Sequence, residues 1–238
     1  MDNPKAFEKL IENRKACIKC HCSGDLCHFE TKLLSMDGHR NLLGPWDPLE
    51  KNCLDAEILV IGQDFGIVEY LVKAENLEGL RIKEKANSTN KKLKEYLELA
   101  GLKDRKIYFT NAVLCIKNGI TKKTKSGKSM SSDVKIEWFE NCSTNFLKPL
   151  ITNHLRNLKT IITLGKYALF SIKHIAETKI EMAQPFNRLI VKTKPILISN
   201  KPYTLIPMLH PSFDHLSIIG HEQFKKPFEP WEYLKSII

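Results

Sequence analysis

The sequence predicts an α/β domain with a central, mostly parallel β-sheet covered by helices in three layers, α/β/α. Two observations carry this. Short apolar runs alternate with amphipathic stretches along the chain, and the short runs are rich in β-branched and aromatic residues. Strands are expected at 58–61, 107–113, 160–164, 195–199 and 204–208. Helices are expected at 5–15, 90–100, 136–155 and 167–175, the second stopped by Gly101. No internal repeat is visible, so 1–238 is read as one domain with a cysteine-containing N-terminal extension over 1–55 and a basic insertion over 117–135.

Composition narrows the partners. A chain of 238 residues with 42% hydrophobic content can build a substantial core. Apolar runs such as Ile58-Leu59-Val60-Ile61 are too short to span a bilayer, and no apolar stretch follows the first residues, so a cytoplasmic, monomeric protein with no membrane partner is expected. Thirty-seven basic residues against 27 acidic give a net charge of +10, which attracts polyanions and makes DNA the first partner to consider. The insertion holds six lysines with Asp133 as its only acid. It is read as a solvated loop or a phosphate contact. Its Gly127-Lys128-Ser129 is not a nucleotide-binding loop, because Lys122 stands where the first glycine of that motif is needed.

In an open α/β sheet ligands bind beyond the carboxyl ends of the strands, so the residues that follow each apolar run are informative. Gly62-Gln63-Asp64-Phe65-Gly66 follows the first run, Thr110-Asn111 ends the second, Gly165-Lys166 follows the third and His210-Pro211-Ser212 the last. A carboxylate, an amide and an imidazole thus converge on one edge, a set that suits base excision. An asparagine amide offers a donor and an acceptor together and can read the edge of an unstacked uracil, the role given to Asn111. Cleavage of the base–sugar bond leaves negative charge on the base, which a donor at His210 would stabilise. Asp64 would orient water and offset positive charge on the sugar. Gly62 and Gly66 would let the backbone approach the nucleotide. Taken singly, Asp64 reads better as a helix cap, Asn111 as a turn residue and His210 as a buried structural histidine; together, at three successive strand ends, the functional reading is the better one.

These motifs resemble the uracil-DNA glycosylase superfamily, from about Cys17 to Pro211. The Gln63-Asp64 pair is similar to the classical uracil-specific branch. Gly66 and Phe109-Thr110-Asn111-Ala112-Val113-Leu114-Cys115 are similar to the iron–sulfur branch, and His210-Pro211-Ser212 resembles the second catalytic motif of the superfamily. The resemblance implies a monofunctional hydrolase of the N-glycosidic bond of uracil, or of a related deaminated base, in DNA. It implies catalysis by Asp64 and His210, with base contacts from Gln63, Phe65 and Asn111. DNA contacts would come from Gly62, Gly66, Lys166, Ser212 and Leu216, the last as a wedge into the duplex. It also implies a [4Fe-4S] cluster on Cys17, Cys20, Cys115 and Cys142, since a cubane needs four thiolates. Cys22 could replace Cys20, and zinc at the N-terminal cysteines is the alternative metal. Lys85-Ala86-Asn87 stands where the iron–sulfur branch carries its stacking aromatic, a duty that Phe65 could take. The alternative function is a non-catalytic module of the same fold that recognises DNA damage.

Overall fold

A computed structural model of the chain describes residues 4–20, 26–27, 43, 53–64, 89–117, 122–123, 129–130, 135–182, 186–212, 223–226 and 228–238. Helix α1 (Pro4–Lys15) precedes strand β1 (Ile58–Gly62), helix α2 (Thr89–Leu99) and strand β2 (Ile107–Asn111). Helix α3 (Ile136–Cys142), strand β3 (Thr160–Leu164) and helix α4 (Lys166–Ile175) follow. The chain ends with the antiparallel pair β4 (Lys194–Ile198) and β5 (Lys201–Met208), then helix α5 (Glu229–Leu234). The sheet order is β2-β1-β3-β5-β4, parallel throughout except for β4.

The strands read as unbroken apolar runs because both sheet faces are covered, as parallel sheets require. Alternate residues enter separate cores. Leu59, Ile61, Tyr108, Ile161 and Leu205 pack with α1, α3 and α4, through residues such as Leu10, Trp138, Phe139, Leu169 and Ile172. Ile58, Val60, Ile107, Phe109, Ile162 and Ile206 pack on the other face with Leu93 and Leu97 of α2 and Trp231 and Leu234 of α5. This is the three-layer architecture expected. Although β2 lies at the end of the described sheet, all five of its residues are buried. Part of its cover is the buried Leu43, whose carbonyl accepts a hydrogen bond from the Thr110 hydroxyl. Covering an edge in this way removes a template for unwanted strand pairing.

Two turns explain where elements stop. Helix α2 ends in a Schellman motif: Gly101 has φ +68°, its N–H reaches Glu98 O at 3.0 Å, and the Leu102 N–H reaches Leu97 O at 2.8 Å. The β4–β5 hairpin turns on Ser199 and Asn200, at φ 50° and 60°, the two positive angles of a type I′ turn.

The structure corrects several expectations. The helix expected over 136–155 is α-helical through Cys142 and then widens into π-helical turns at Ser143–Leu147 and Leu150–His154, on either side of Pro149. Proline cannot donate to a carbonyl one turn back, and nearby side chains bond to helical carbonyls: Asn145 Nδ2 donates to Asn141 O at 2.6 Å and Thr152 Oγ1 to Lys148 O at 3.0 Å. The insertion is not wholly a loop, because Lys122–Lys123 pairs with Ser129–Met130. At its start, Ile116–Lys117 pairs with Leu26–Cys27 of the N-terminal extension. Helix α5 was not expected; its six residues with a proline at the first turn are too short to display a helical period.

Helix α5 is held by Trp231, fully buried and stacked on Tyr96 of α2 with ring centroids 5.6 Å apart. Trp231→Ala should lower unfolding stability by about 3–5 kcal/mol, seen as a lower urea midpoint with an unchanged slope.

Candidate functional site at the carboxyl edge of the sheet

The switch in strand order lies at β1, which has β2 on one side and β3 on the other. Pairing continues past the strand ends. The Ala112 N–H donates to Gly62 O at 2.9 Å and the Val113 N–H to Gln63 O at 3.0 Å, so Gln63 and Asp64 are held beside Asn111. On the other side the Gly165 N–H donates to Met208 O at 2.8 Å, which brings the start of α4 against the segment that leads to His210. Four strand ends therefore deliver their polar residues to one crevice, the place where open α/β sheets bind ligands.

Asn111 is 3% exposed, and its Nδ2 has no hydrogen-bond partner among the described residues. A buried amide nitrogen in that state loses its hydration without compensation, a cost of about 1–3 kcal/mol that a ligand acceptor would relieve. Asp64 and Gln63 are half-buried, and Gln63 Nε2 donates to Asp64 Oδ2 at 2.8 Å, which orients the carboxylate. The Ser212 backbone N–H points to His210 Nδ1 at 3.3 Å. A backbone N–H only donates, so Nδ1 accepts and the proton of the neutral ring sits on Nε2. Ser212 Oγ lies 2.7 Å from the same nitrogen. Burial holds the His210 imidazole below its usual 6.5, while the Asp64 carboxylate pulls it upward. That attraction ties the two groups electrostatically across the crevice. The result is a neutral imidazole with an Nε2–H donor, near a carboxylate and a buried amide.

Gly165 sets the spacing between α4 and His210. Its φ of +89° and ψ of 173° belong to a region essentially closed to other residues. A Cβ there would also lie 3.3 Å from His210 Cβ. In the sequence Gly165 reads only as a strand-end marker, and this role is missed; the glycine directly after a strand is its signal. Ser212, the residue expected to contact DNA, also bonds to His210. Gly62 is buried as the last residue of β1, and Lys166 is exposed as the first residue of α4. Phe65, Gly66, Lys85, Ala86, Asn87 and Leu216 lie outside the described residues.

The cysteines gather elsewhere, under α1. Cys20, Cys115 and Cys142 are buried in the core on that face, and the half-buried Cys17 packs against it. The Lys19 ammonium donates to Asn145 Oδ1 at 2.8 Å and Asn141 Nδ2 donates to Cys20 Sγ at 3.3 Å, so the Cys17–Cys20 turn is tied to the helix that carries Cys142. Burial pushes the Cys142 thiol up to about 12, with Cys20 and Cys17 close enough to add to the rise. Four soft sulfur donors on three separate segments fit the needs of a cubane cluster. Among the described residues no group of three or more His, Cys, Asp or Glu is set to hold a single metal ion. Cys53 is half-buried and its thiol hydrogen-bonds the Asp55 carboxylate. Cys22, His21 and His28 lie outside the described residues.

Gly165→Ala should destabilise the fold by about 1–3 kcal/mol and displace His210. Thermal unfolding and the His210 ring resonances measure the two effects, and an unchanged His210 environment would remove Gly165 from the site.

Comparison with known proteins bears on the identity of this crevice. No curated protein matches the chain. Residues 50–226 match the family model described as the uracil DNA glycosylase superfamily, a span that contains β1 to β5, Asp64, Asn111, His210, Cys115 and Cys142, while Cys17 and Cys20 precede it. The chain belongs to the uracil DNA glycosylase superfamily.

Proposed function

We propose that this protein is a monofunctional DNA glycosylase that hydrolyses the N-glycosidic bond of uracil, or of a closely related deaminated base, in DNA. The observation that carries the reading is the juxtaposition, at the strand-order switch, of a buried Asn111 amide with the Asp64–His210 pair. Superfamily membership supports a hydrolase acting on DNA, and the net charge of +10 suits a polyanionic substrate.

In this mechanism the base leaves the stack and Asn111 reads its edge, with Nδ2 donating to a carbonyl oxygen and Oδ1 accepting from the ring N–H. The bond between the base and C1′ breaks with its electron pair going to the base. The Nε2–H of neutral His210 donates to the oxygen on which that charge gathers. A neutral donor suits an anion as acidic as the uracil ring, which can leave without being protonated. Asp64, oriented by Gln63, holds the water that adds to C1′ and faces the positive charge of the sugar. The products are the free base and an abasic site. Gly62 and Gly66 bring backbone near the nucleotide, Phe65 covers the base, Lys166 contacts phosphate, and Leu216 fills the vacated stack.

Cys17, Cys20, Cys115 and Cys142 would hold a [4Fe-4S] cluster, which when bound supplies a covalent tie between segments and no redox step in hydrolysis. The donor set of four thiols supports this assignment and the iron–sulfur branch with it, while Gln63-Asp64 keeps the water-orienting pair of the classical branch.

The test is incubation with DNA carrying a single uracil, followed by alkali to cleave abasic sites. Wild type should cleave at the uracil. His210→Ala should slow excision about 10²–10³-fold and Asp64→Asn about 10²–10⁴-fold, both with DNA binding retained. Binding to uracil-containing DNA without cleavage by wild type would replace catalysis with a recognition role.

A further inference from the structure

Arg14 is 1% exposed, among the largest fully buried side chains, on a helix whose other charged residues are exposed. It lies on the same stripe of α1 as Phe7 and Leu10, the face that packs on the core. Taking a guanidinium out of water costs several kcal/mol, and a fork of donors in the core needs a compensating negative environment. Two backbone contacts place Arg14. Arg14 NH2 donates to the carbonyl of Leu114, the residue before Cys115. Its own carbonyl accepts the Cys17 N–H at 3.2 Å. Arg14 thus joins the turn that carries Cys17 and Cys20 to the segment that carries Cys115.

We infer that Arg14 is a positioning residue and internal counter-charge for the four-cysteine centre, binding the two halves of the ligand set together and offsetting the negative charge of the thiolate-ligated cluster. The inference rests on the cluster assignment made above. Four thiolates on an iron–sulfur core keep a net negative charge, and a fixed cation nearby stabilises that charge and favours the reduced state, since an added electron raises it further. The guanidinium suits this position because its rigid fork can bond a carbonyl while its delocalised, weakly hydrated charge tolerates burial. Hydrogen bonds also bear on this centre, the Asn141 amide at Cys20 Sγ being one, so Arg14 supplies the charge that amides cannot.

The experiment compares wild type, Arg14→Lys and Arg14→Gln, all purified without oxygen, by iron content, visible absorbance, loss of that absorbance in a chelator, and reduction potential by spectroelectrochemistry. Arg14→Gln keeps a donor for the Leu114 carbonyl and removes the charge; Arg14→Lys keeps the charge and removes the fork. Arg14→Gln should lose cluster roughly 10–100-fold faster and show a more negative potential, while Arg14→Lys stays near wild type in potential. The potential is read only from molecules that carry the cluster, so a partly folded preparation of Arg14→Gln still reports it. A wild type with cluster and an Arg14→Gln variant of the same potential and retention would overturn the inference and leave the cluster intact. Iron-free wild type would overturn the cluster assignment and the inference together.

Discussion

The structure depends on one constraint, the parallel register that joins β1 to β2 and β3 and continues beyond the strand ends. Within the strands the register is fixed by burial, because a slip of one residue would exchange the sets of side chains entering the two cores. Beyond them it is carried by backbone bonds from Ala112 to Gly62, from Val113 to Gln63 and from Gly165 to Met208. Those bonds turn apolar packing into polar geometry. They hold Asp64 beside Asn111, and they set His210 against the one residue that leaves it room, Gly165. The polar residues thus sit at the first positions after each strand, where sheet backbone bonds place them.

The cysteine centre addresses a different mechanical problem. The first helix precedes the family-matched span. Its apolar stripe at Phe7, Leu10 and Ile11 packs on the core but is narrow. Cysteines from the end of that helix, from the segment after β2 and from α3 lie on the same face of the sheet. A centre joining them would cross-link three segments far apart in sequence, and the buried arginine of α1 lies between them. Electrostatics at the two sites run in opposite senses. At the crevice a half-buried imidazole is kept neutral, whereas at the cysteines a permanent cation is kept inside the core.

Much of the fold was legible in the sequence because it rests on signals with short range. Five apolar runs became the five strands of one sheet, and Gly101 closed its helix through a Schellman motif. The candidate residues Asp64, Asn111 and His210 were legible because strand ends point one way in a parallel sheet, so position after a strand is a spatial statement. What was not legible depends on tertiary context. Nothing local marks Arg14 as buried, since a basic residue near the end of a helix ordinarily complements the helix dipole in solvent. The widened turns around Pro149 need the carbonyl partners that only the folded chain supplies. The bond between Ser212 and His210 is a matter of side-chain rotamer, which spacing alone leaves open.

The central claim is that the sheet edge holds His210 as a neutral imidazole with its proton on Nε2, under the influence of Asp64. The direct measurement is a nitrogen-detected NMR titration of the histidines in wild type and Asp64→Asn. His210 should show an unprotonated Nδ1 and a protonated Nε2 at neutral pH and titrate below its ordinary 6.5. Because the carboxylate pulls the imidazole upward, its removal in Asp64→Asn should lower the midpoint further. A proton on Nδ1, or a midpoint indifferent to Asp64, would contradict the account.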